Sequence, residues 1–469
     1  MVLNAQRATS GLRIGFVVDH PLRDLDGLVL VAHLLAQRGH RTVLIPFYAQ
    51  NFDLPSLDLD LVVVNYLRPA NEALVRATLA RATKVAVLDT EGALRPAKGV
   101  TSYEGCAAYL RESGLDNAIS LYMLWGEAMK PLLLERTRLD PARIEVTGCP
   151  RFDLAHQPWS LAGERQEIIL VNTAFPTVNS RHAHDGREDR AALRATGFSD
   201  AEIDDVFSTY RAIMADFCEA VARLAKARPG RQFVVRPHPF EASEPYERHF
   251  AAFPNVTLHR AGSVLDMLSR SDCLLHVNCT TAVEAVMCGV PPISLDFANR
   301  AEAVAHAPLP GRVSHRALDI DAALALIDQG RSIRPDHALL AVREAEIRHY
   351  FGPCDGAAAS RVADAVERTA GGARSTARGP VAPRQRMLAA AGALAGSALI
   401  EKWRHRRFRG RAEKAVGAAA VEAALQRFSY ADSSELAQVR RLRGPLGRPM
   451  LSLEITPGRA LQGRCHPQP

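Results

Sequence analysis

Two stretches of this sequence constrain the fold most, because each runs from a buried strand directly into a polar loop. The first is Val234-Val-Arg-Pro-His-Pro-Phe-Glu241, and the second runs from Leu274-Leu-His-Val-Asn278 through a helical segment to Pro291. In parallel α/β sheets, ligand sites lie at such carboxyl ends of strands. The pair therefore predicts a parallel α/β fold with a ligand site at the edge of the sheet.

His238 is the strongest single candidate for a ligand contact in the first stretch. Pro237 and Pro239 restrict the backbone on both sides of it, so its side chain is expected to point in a fixed direction. With Arg236 beside it, the ring would donate a hydrogen bond to a phosphate. The alternative is a structural histidine in a strand loop. Glu241 would cap the helix that follows.

The second stretch predicts an anion site at the start of a helix. Asn278, Thr280 and Thr281 lie where the helix begins, and free N–H groups with small hydroxyl side chains suit a phosphate there. An ordinary helix cap is the alternative. Glu284, one turn further on, would reach back to the ligand or complete a capping box with Thr281. Ser263 begins another helix beside a strand end and is a secondary candidate.

Carboxylates follow a strand in the first part of the chain as well. Asp89 and Glu91, in Leu88-Asp-Thr-Glu-Gly92, come directly after the predicted strand Lys84 to Leu88. One of them could act as a general base toward a hydroxyl group, and an acidic turn is the alternative. Arg23 and Asp26, after the first strand, are weaker candidates for contacts on the same side.

The order of predicted elements indicates two α/β domains followed by an extension. The chain of 469 residues is long enough for two cores. Strands and helices alternate up to about residue 150 and again from Glu167 onward, which predicts two doubly wound, Rossmann-like sheets. We expect domains at 1–155 and 165–370, with a flexible linker and a basic helical tail at 371–469.

The basic charge is concentrated in the C-terminal segment. Residues 371–469 contain 18 Lys and Arg against 6 Asp and Glu. An alanine-rich helix predicted at 386–427 carries Trp403 and Phe408 among arginines, which is typical of a helix lying on anionic lipid. A protein-contacting or solvated helix is the main alternative, and nucleic acid is not expected as a partner. The remainder of the tail is predicted to be poorly ordered.

Several classes of protein and site are disfavoured by what the sequence lacks. It contains no P-loop, no G-x-G-x-x-G after a strand and no G-x-S-x-G elbow, which argues against kinases, dinucleotide oxidoreductases and α/β hydrolases. His182 and His184 have no cysteine or carboxylate at ligand spacing, so no metal site is predicted. Without a signal peptide or an apolar span, we expect a cytoplasmic location, peripheral to the inner membrane if the basic helix binds lipid.

Seven short motifs, in this order, resemble those of the bacterial surface carbohydrate (capsule and lipopolysaccharide) biosynthesis proteins of the GT-B glycosyltransferase superfamily. The resemblance covers about residues 10–365. The motifs are Arg23-Asp-Leu-Asp-Gly27, Asp89-Thr-Glu-Gly92, Leu124-Trp-Gly126, Val146-Thr-Gly-Cys-Pro-Arg-Phe-Asp153, Ile169-Leu-Val-Asn-Thr-Ala-Phe175 with Asn179, Arg236-Pro-His-Pro239, and Asn278 to Pro291.

The resemblance implies two facing Rossmann-like domains, with a nucleotide-sugar donor on the C-terminal one and an acceptor on the N-terminal one. GT-B enzymes that use CMP-activated sugars pair an acidic-acidic-Gly motif with His-Pro. By that similarity Glu91 would be the base and His238 would bind the donor phosphate. Thr90 replaces the first acid of the motif, which leaves the choice between Glu91 and Asp89 open.

The function expected from this resemblance is transfer of a sugar from a nucleotide-sugar, with a CMP-sugar favoured, to a lipid-linked or saccharide acceptor. The nucleotide-sugar is a substrate, so no cofactor and no bound metal are expected. Three alternatives remain open: a CDP-glycerol-type polyol-phosphate transferase, a UDP-GlcNAc 2-epimerase-like enzyme, and a membrane-associated scaffold for polysaccharide assembly.

Overall fold

The chain forms two compact units, each built around a sheet. The computed structural model describes residues 11–93, 95, 99–156, 167–181, 190–191, 193–194, 197–372, 379–405, 414–428 and 437–458. Unit 1 combines Met1–Arg95, Tyr103–Asp153 and Tyr350–Pro469, and unit 2 contains Pro96–Ser102 and Leu154–His349. Residues 350–370, which the sequence placed with the second domain, thus group with unit 1.

The strands, in chain order, are β1 (Arg13–Val18), β2 (Arg41–Pro46), β3 (Leu61–Val64), β4 (Lys84–Leu88), β5 (Leu121–Leu124), β6 (Ile144–Val146), β7 (Ile168–Asn172), β8 (Phe233–Arg236), β9 (Val256–Leu258), β10 (Ser271–His276), β11 (Pro292–Leu295), β12 (His315–Ala317), β13 (Ala437–Arg443) and β14 (Pro449–Pro457).

The α-helices are α1 (Asp26–Gln37), α2 (Gln50–Asp53), α3 (Glu72–Leu79), α4 (Tyr103–Glu112), α5 (Lys130–Arg136), α6 (Asp200–Ala227), α7 (Glu244–Phe250), α8 (Val264–Arg270), α9 (Thr281–Met287), α10 (Ala301–His306), α11 (Pro308–Arg312), α12 (Ile320–Gln329), α13 (His337–Phe351), α14 (Ala358–Gly371), α15 (Pro383–Ala395), α16 (Ser397–His405) and α17 (Ala418–Phe428).

The sheet of unit 1 has the order β13-β14-β2-β1-β3-β4-β5-β6. Strands β1 to β6 pair in parallel, and β1 lies between β2 and β3. The chain moves to one side of β1 first and then to the other, so the gap between β1 and β3 is the topological switch point. Ligands of doubly wound sheets bind at the carboxyl ends of the strands at such points.

The sheet of unit 2 has the order β12-β11-β10-β7-β8-β9, and all its pairings are parallel. Its strands are apolar and buried because helices cover both faces. The switch point lies between β7 and β10. The loops carrying His238 and Asn278 follow β8 and β10, as the sequence indicated. These two strands are not neighbours, because β7 lies between them.

These two sheets confirm the predicted fold class of two doubly wound, Rossmann-like α/β units, the components of a GT-B protein. The predicted strand Lys84 to Leu88 is β4. The sequence also predicts a strand from Ala118 to Leu124, but β5 begins at Leu121 because the preceding residues form a short 3₁₀ turn at Leu115–Asn117. The edge strand β12 was not predicted. His182 and His184 lie outside the described residues. The polar segment from Pro150 to Gly163 predicts a linker between the two domains, and residues 157–163 of it also lie outside the described residues.

The prediction of a poorly ordered C-terminal tail is wrong for its described part. Strands β13 and β14 form an antiparallel hairpin, and β14 pairs with β2, so the tail extends the sheet of unit 1. The predicted long helix is divided into α15, α16 and α17, with Gly396 at a φ of +80° between the first two. Leu453 and Ile455 are buried. Burial of these two apolar side chains stabilises the folded segment despite its basic charge.

Within the described residues, no helix has both the length and the apolar character needed to cross a bilayer.

Candidate functional site

Polar side chains from three neighbouring strand ends form an ionic cluster in unit 1. Asp19 follows β1, and its carboxylate contacts the guanidinium of Arg23 at 2.5 Å. Asn65 follows β3 and donates its amide N–H to Asp19 across the switch point at 3.3 Å. Arg68 Nη2 lies 2.8 Å from Glu91 Oε2, after β4. The cluster thus lies at the edge where a doubly wound sheet binds ligands.

The two carboxylates of the Asp89–Gly92 loop have different surroundings. Asp89 accepts a hydrogen bond from the backbone N–H of Glu91 at 2.9 Å and one from Arg95 at 2.8 Å, and both side chains of that ion pair are almost fully buried. The Glu91 side chain is 51% exposed and lies between Arg68 and Arg23. Only Glu91 of this pair therefore offers a carboxylate that an incoming hydroxyl group can reach.

Gly92 completes this loop for a steric reason. A Cβ atom at this position would lie 2.8 Å from the indole ring of Trp125, which packs directly against the glycine backbone. Trp125 also makes an edge contact with Phe152, with ring centroids 5.5 Å apart. The glycine of the Thr90-Glu91-Gly92 motif thus lets the loop lie against a fixed aromatic wall.

The two weaker candidates of unit 1 have separate roles. Arg23 belongs to the cluster, since it pairs with Asp19 and Asp24 and approaches Glu91 at 4.0 Å. Asp26 begins α1 and pairs with Arg427 of α17 at 3.0 Å. The structure therefore brings Arg23 to the candidate base and engages Asp26 with the C-terminal segment.

The sequence predictions missed several members of the cluster. Asp19, His20 and Asn65 carry the same signal as Asp89, because each is a polar residue just after a buried strand. Burial, with Arg23 nearby, lowers the pKa of His20. Lys414 has no local signal: its ammonium group lies 3.1 Å from Asp19 Oδ1 and 4.4 Å from the centre of the Phe47 ring. Only the folding of the C-terminal segment onto unit 1 places it there.

In unit 2, the loop after β8 holds His238 as the prolines predicted. Its Nδ1 accepts the backbone N–H of Phe240 at 3.2 Å, so in the neutral ring the proton lies on Nε2. The backbone N–H of His238 donates to Thr173, after β7, at 3.3 Å. The ring is half-buried and packs beside Phe240. This arrangement fixes an N–H donor at the sheet edge.

Arg236 is engaged with backbone rather than directed at an open site. Its guanidinium donates to the carbonyl oxygens of Ala261 at 2.9 Å and Gly262 at 2.7 Å. Burial lowers the pKa of Arg236, and Glu284 opposes that effect. The two carbonyls precede Ser263, whose hydroxyl caps α8 by accepting the N–H of Leu265 at 3.2 Å. Arg236 therefore holds in place the loop on which Ser263 lies.

The polar residues after β10 form a network within the loop. Thr281 accepts a hydrogen bond from the Asn172 amide at 3.0 Å, which bridges the β7–β10 switch point. Asn278 has a φ of +50° and exchanges two side-chain hydrogen bonds with Asn299, at 3.1 and 3.0 Å. Thr280 is exposed and makes no side-chain cap to α9.

The sequence predicts a helix that continues from Ala282 to Cys288, and α9 ends one residue earlier, at Met287. Glu284 lies on its first turn and is half-buried. Asn172, which the motif comparison included without a role, has a buried Oδ1 that makes no hydrogen bond within the described part of the chain. The amide oxygen of Asn172 and the exposed hydroxyl of Thr280 are therefore the groups at this sheet edge that are suited to a ligand.

Glu241 has a structural position rather than a helix-capping one. Its carboxylate is fully buried and accepts three hydrogen bonds at 2.5 Å, from Thr173, Tyr246 and the backbone N–H of Phe175. Burial raises the pKa of this carboxyl group, and the three donors oppose the shift. The residue connects the ends of β7 and β8 and so supports the loop of His238.

The two clusters offer different chemistry. Unit 1 presents an accessible carboxylate among guanidinium groups, which suits a hydroxyl-bearing molecule and proton removal. Unit 2 presents an imidazole N–H, an amide oxygen and hydroxyl groups, which suit a phosphate with attached polar groups. In the described part of the chain, no three His, Cys, Asp or Glu side chains are grouped so that they could hold a metal ion.

No protein-family model matches this sequence, and no curated protein matches it either. Among solved structures, UDP-GlcNAc 2-epimerase from Neisseria meningitidis bound to UDP-GlcNAc matches with a TM-score of 0.44 and 14% identity, over 76% of this chain and 100% of that chain. The UDP-GlcNAc 2-epimerase of Methanocaldococcus jannaschii, in complex with UDP-GlcNAc and UDP, matches with a TM-score of 0.43 and 13% identity, over 76% and 100%.

A structure of the wall teichoic acid polymerase TagF matches with a TM-score of 0.40 and 10% identity, over 67% of this chain and 72% of that chain. At these identities the likeness concerns the general fold alone.

Proposed function

We propose that this protein is a glycosyltransferase that moves a sugar from a nucleotide-sugar to a lipid-linked or saccharide acceptor in surface polysaccharide biosynthesis. The observation that carries the proposal is the position of Glu91. Of the carboxylates in the unit 1 cluster it is the most exposed, since the side chains of Asp19, Asp24 and Asp89 are 12%, 7% and 4% exposed against 51% for Glu91. An acceptor hydroxyl can therefore reach Glu91.

In this reaction Glu91 takes the proton of the acceptor hydroxyl as its oxygen attacks the anomeric carbon of the donor sugar. The bond between that carbon and the phosphate oxygen breaks, and the nucleotide leaves with the electron pair. His238 donates its Nε2–H to the phosphate and so stabilises the negative charge that develops on it. No cofactor takes part, because the nucleotide-sugar is itself the substrate.

The other residues predicted to bind the nucleotide-sugar fall into two groups: those that contact it and those that hold the contacting loops in place. Thr280, Ser263 and Glu284 are proposed to contact the nucleotide. Arg236 and Asn278 act by positioning, because their side chains are engaged with the Ala261–Gly262 carbonyls and with Asn299. A CMP-sugar is the favoured donor, on the resemblance of the Thr90-Glu91-Gly92 and His238-Pro239 motifs to those of CMP-sugar enzymes.

The first test is a thermal-shift panel with CMP, CDP and UDP. Stabilisation by CMP alone is expected for a CMP-sugar donor, since a ligand that binds only the folded state stabilises it by an amount that grows with the ratio of ligand concentration to Kd. A preference for CDP would favour a CDP-glycerol-type polyol-phosphate transferase. A preference for UDP, with turnover of UDP-GlcNAc in the absence of any acceptor, would favour an epimerase.

The second test measures CMP release from CMP-sugars in the presence of saccharide acceptors. Glu91→Gln should lower kcat by about 10²- to 10⁴-fold, the usual contribution of a general base, while leaving the CMP thermal shift intact. Glu112→Gln, at an exposed glutamate of α4, is the matched control and should retain activity. Full activity in Glu91→Gln would contradict the assignment. A scaffold would show no CMP release in either protein.

We also propose that α15 and α16 place the protein on the cytoplasmic surface of an anionic membrane. Four large apolar side chains on these helices are 58–65% exposed: Met387, Leu394, Leu399 and Trp403. Exposed cations, among them Arg384, Arg386 and Lys402, lie on the same two helices. Apolar groups that can enter the lipid interface, with cations that attract anionic headgroups, are the requirements for interfacial binding.

Co-sedimentation with vesicles tests this contact. Binding is expected to phosphatidylglycerol-containing vesicles and not to pure phosphatidylcholine, and Trp403→Glu should reduce it at least tenfold. Leu318→Glu is the matched control, because Leu318 is equally exposed, at 67% against 65% for Trp403, but lies in unit 2. Equal binding by both variants would assign the exposed face to a protein partner or to solvent.

A further inference from the structure

A small pocket opens beside the ionic cluster of unit 1. It has a volume of about 30 Å³ and is lined largely by apolar side chains of the first strands and α1. Apolar members of its wall are Phe16, Val17, Leu28, Val63, Val64 and Leu88. Thr90 and Asp89 also line it, so the pocket adjoins the loop that carries Glu91.

Of the polar side chains that line this pocket, Trp125 and Asn65 each have a buried atom that makes no hydrogen bond within the described part of the chain. Trp125 is 4% exposed and Asn65 is 2% exposed. Within the described part of the chain, neither the indole N–H of Trp125 nor the amide oxygen of Asn65 makes a hydrogen bond. Buried polar groups in native proteins are nearly always paired, so a donor and an acceptor left open in one pocket indicate a polar occupant.

The directions of both groups are fixed by their neighbours. The Asn65 amide nitrogen donates to the Asp19 carboxylate, which can only accept, so the amide oxygen must point the other way. The Trp125 ring is held between the Gly92 backbone and Phe152, with the Arg151 guanidinium 5.0 Å from its centre. Neither group can easily turn to find a partner within the protein.

We propose that this pocket is a subsite for a hydroxymethyl group of a polyol or sugar, with Trp125 donating to the ligand oxygen and Asn65 accepting a hydroxyl proton. A hydroxyl group both accepts and donates, as the two open atoms require. The volume admits a group of about two heavy atoms and excludes a sugar ring, because one water needs roughly 10–15 Å³ on the same measure. The identification of the ligand as the acceptor rests on the proposed function; the subsite itself does not.

Binding of glycerol, the probe for a hydroxymethyl group, can be followed at Trp125 itself. The chain has three tryptophans, Trp125, Trp159 and Trp403, so protein labelled with ¹⁵N-tryptophan gives three indole N–H resonances. Trp159→Phe and Trp403→Phe assign the Trp125 resonance by elimination. Glycerol should shift this resonance in a saturable manner. 1,2-Dimethoxyethane, whose ether oxygens can accept from Trp125 but which has no proton to donate to Asn65, should shift it much less at the same concentration.

The asparagine contact is tested by replacement. Asn65→Ala should weaken glycerol binding at least fivefold, whereas Asn117→Ala, at an exposed asparagine of the same unit, should leave it unchanged. An unchanged Trp125 resonance in the wild-type protein, or an equal shift with 1,2-dimethoxyethane, would overturn the proposal even if Asn65→Ala does not fold. No nucleotide and no turnover enter this experiment, so a failure of sugar transfer would not be mistaken for a failure of the subsite.

Discussion

At the scale of single residues, Asp89 and Glu91 show how two carboxylates of one loop acquire different roles. Asp89 is bound to the buried Arg95 and to the backbone of its own turn, whereas Glu91 projects from the sheet edge between Arg23 and Arg68. A buried ion pair is sensitive to the loss of one partner, because the other charge is then left without compensation. Asp89 thus maintains the loop that presents Glu91.

We expect Arg95→Met to lower the free energy of unfolding of unit 1 by about 3 kcal/mol, the lower end of the effect of breaking a buried ion pair. The buried Asp89 carboxylate then keeps only the backbone N–H of Glu91 and the more distant guanidinium of Arg68, at 3.6 Å. In Asp89→Asn/Arg95→Met the loss should be smaller, since no charge remains to be buried. Urea unfolding followed by tryptophan fluorescence compares the two proteins. A double variant that is less stable than Arg95→Met would contradict this account of the pair.

Glu241 leads to a prediction about pH. Its pKa is raised above the ordinary value of 4.5, because burial disfavours the ionised carboxylate. The folded state therefore holds the proton more tightly than the unfolded chain, and stability falls as the pH rises from about 4.5 through the folded-state pKa. Glu241→Gln replaces the carboxyl group with an amide that does not titrate. The stability of the wild-type protein relative to the variant should decrease over that window; a difference independent of pH would show that the group is not shifted.

The candidate residues could be found from the sequence, but their roles could not. A polar residue just after an apolar strand identified Asp89, Glu91, His238 and Asn278, because parallel strands bring such positions to one edge. The engagement of Arg236 with two carbonyl groups depends on the path of the chain at Ala261 and Gly262, which only the folded loop defines. The same limit explains why Asn65 and Trp125 had no assigned function.

At the scale of elements, the C-terminal hairpin departs most from expectation. Leu451, Leu453 and Ile455 alternate with Ser452, Glu454 and Thr456, which is the period-two pattern of a strand. The position of this segment near the end of the chain suggested a poorly ordered tail instead. Strand β14 meets the edge of β2, and the backbone N–H and hydroxyl of Ser452 donate to the buried Asp53 at 3.0 and 2.7 Å. The alternation typical of a strand was therefore visible in the sequence. The strand with which it pairs, β2, lies far from it in the chain, so the pairing could not be predicted.

Ser452→Ala should lower the free energy of unfolding of unit 1 by about 1–3 kcal/mol, the usual effect of removing a hydrogen bond to a buried charged group. Ser208→Ala, at an exposed serine of α6, is the matched control and should have little effect. Thermal unfolding followed by circular dichroism compares them. If both variants melt with the wild type, the hydrogen bond from the Ser452 hydroxyl to Asp53 does not contribute to the stability of unit 1.

At the scale of the whole molecule, unit 1 is assembled from separated parts of the chain. Asp153 accepts the backbone N–H groups of Ala358 and Ala359, at 3.0 and 2.7 Å, and so caps α14, which begins without a cap of its own. Arg38, directly after α1, pairs with Asp364 and Glu367 of α14, each at 2.7 Å. The end of the Val146–Asp153 motif is therefore explained by a contact with residues about two hundred positions away in the chain.

This assembly predicts how fragments of the chain will behave. Residues 1–153 expressed alone should be insoluble, because β2 would have an unpaired edge and α1 would expose the apolar face on which α14 and α17 pack. Co-expression with residues 350–469 should restore a soluble complex, and residues 154–349 should fold without either. Size-exclusion chromatography and cooperative thermal unfolding measure each case. Cooperative folding of residues 1–153 alone would mean that the C-terminal segment is an addition to unit 1 rather than part of it, and that Lys414 reaches Asp19 without contributing to the fold.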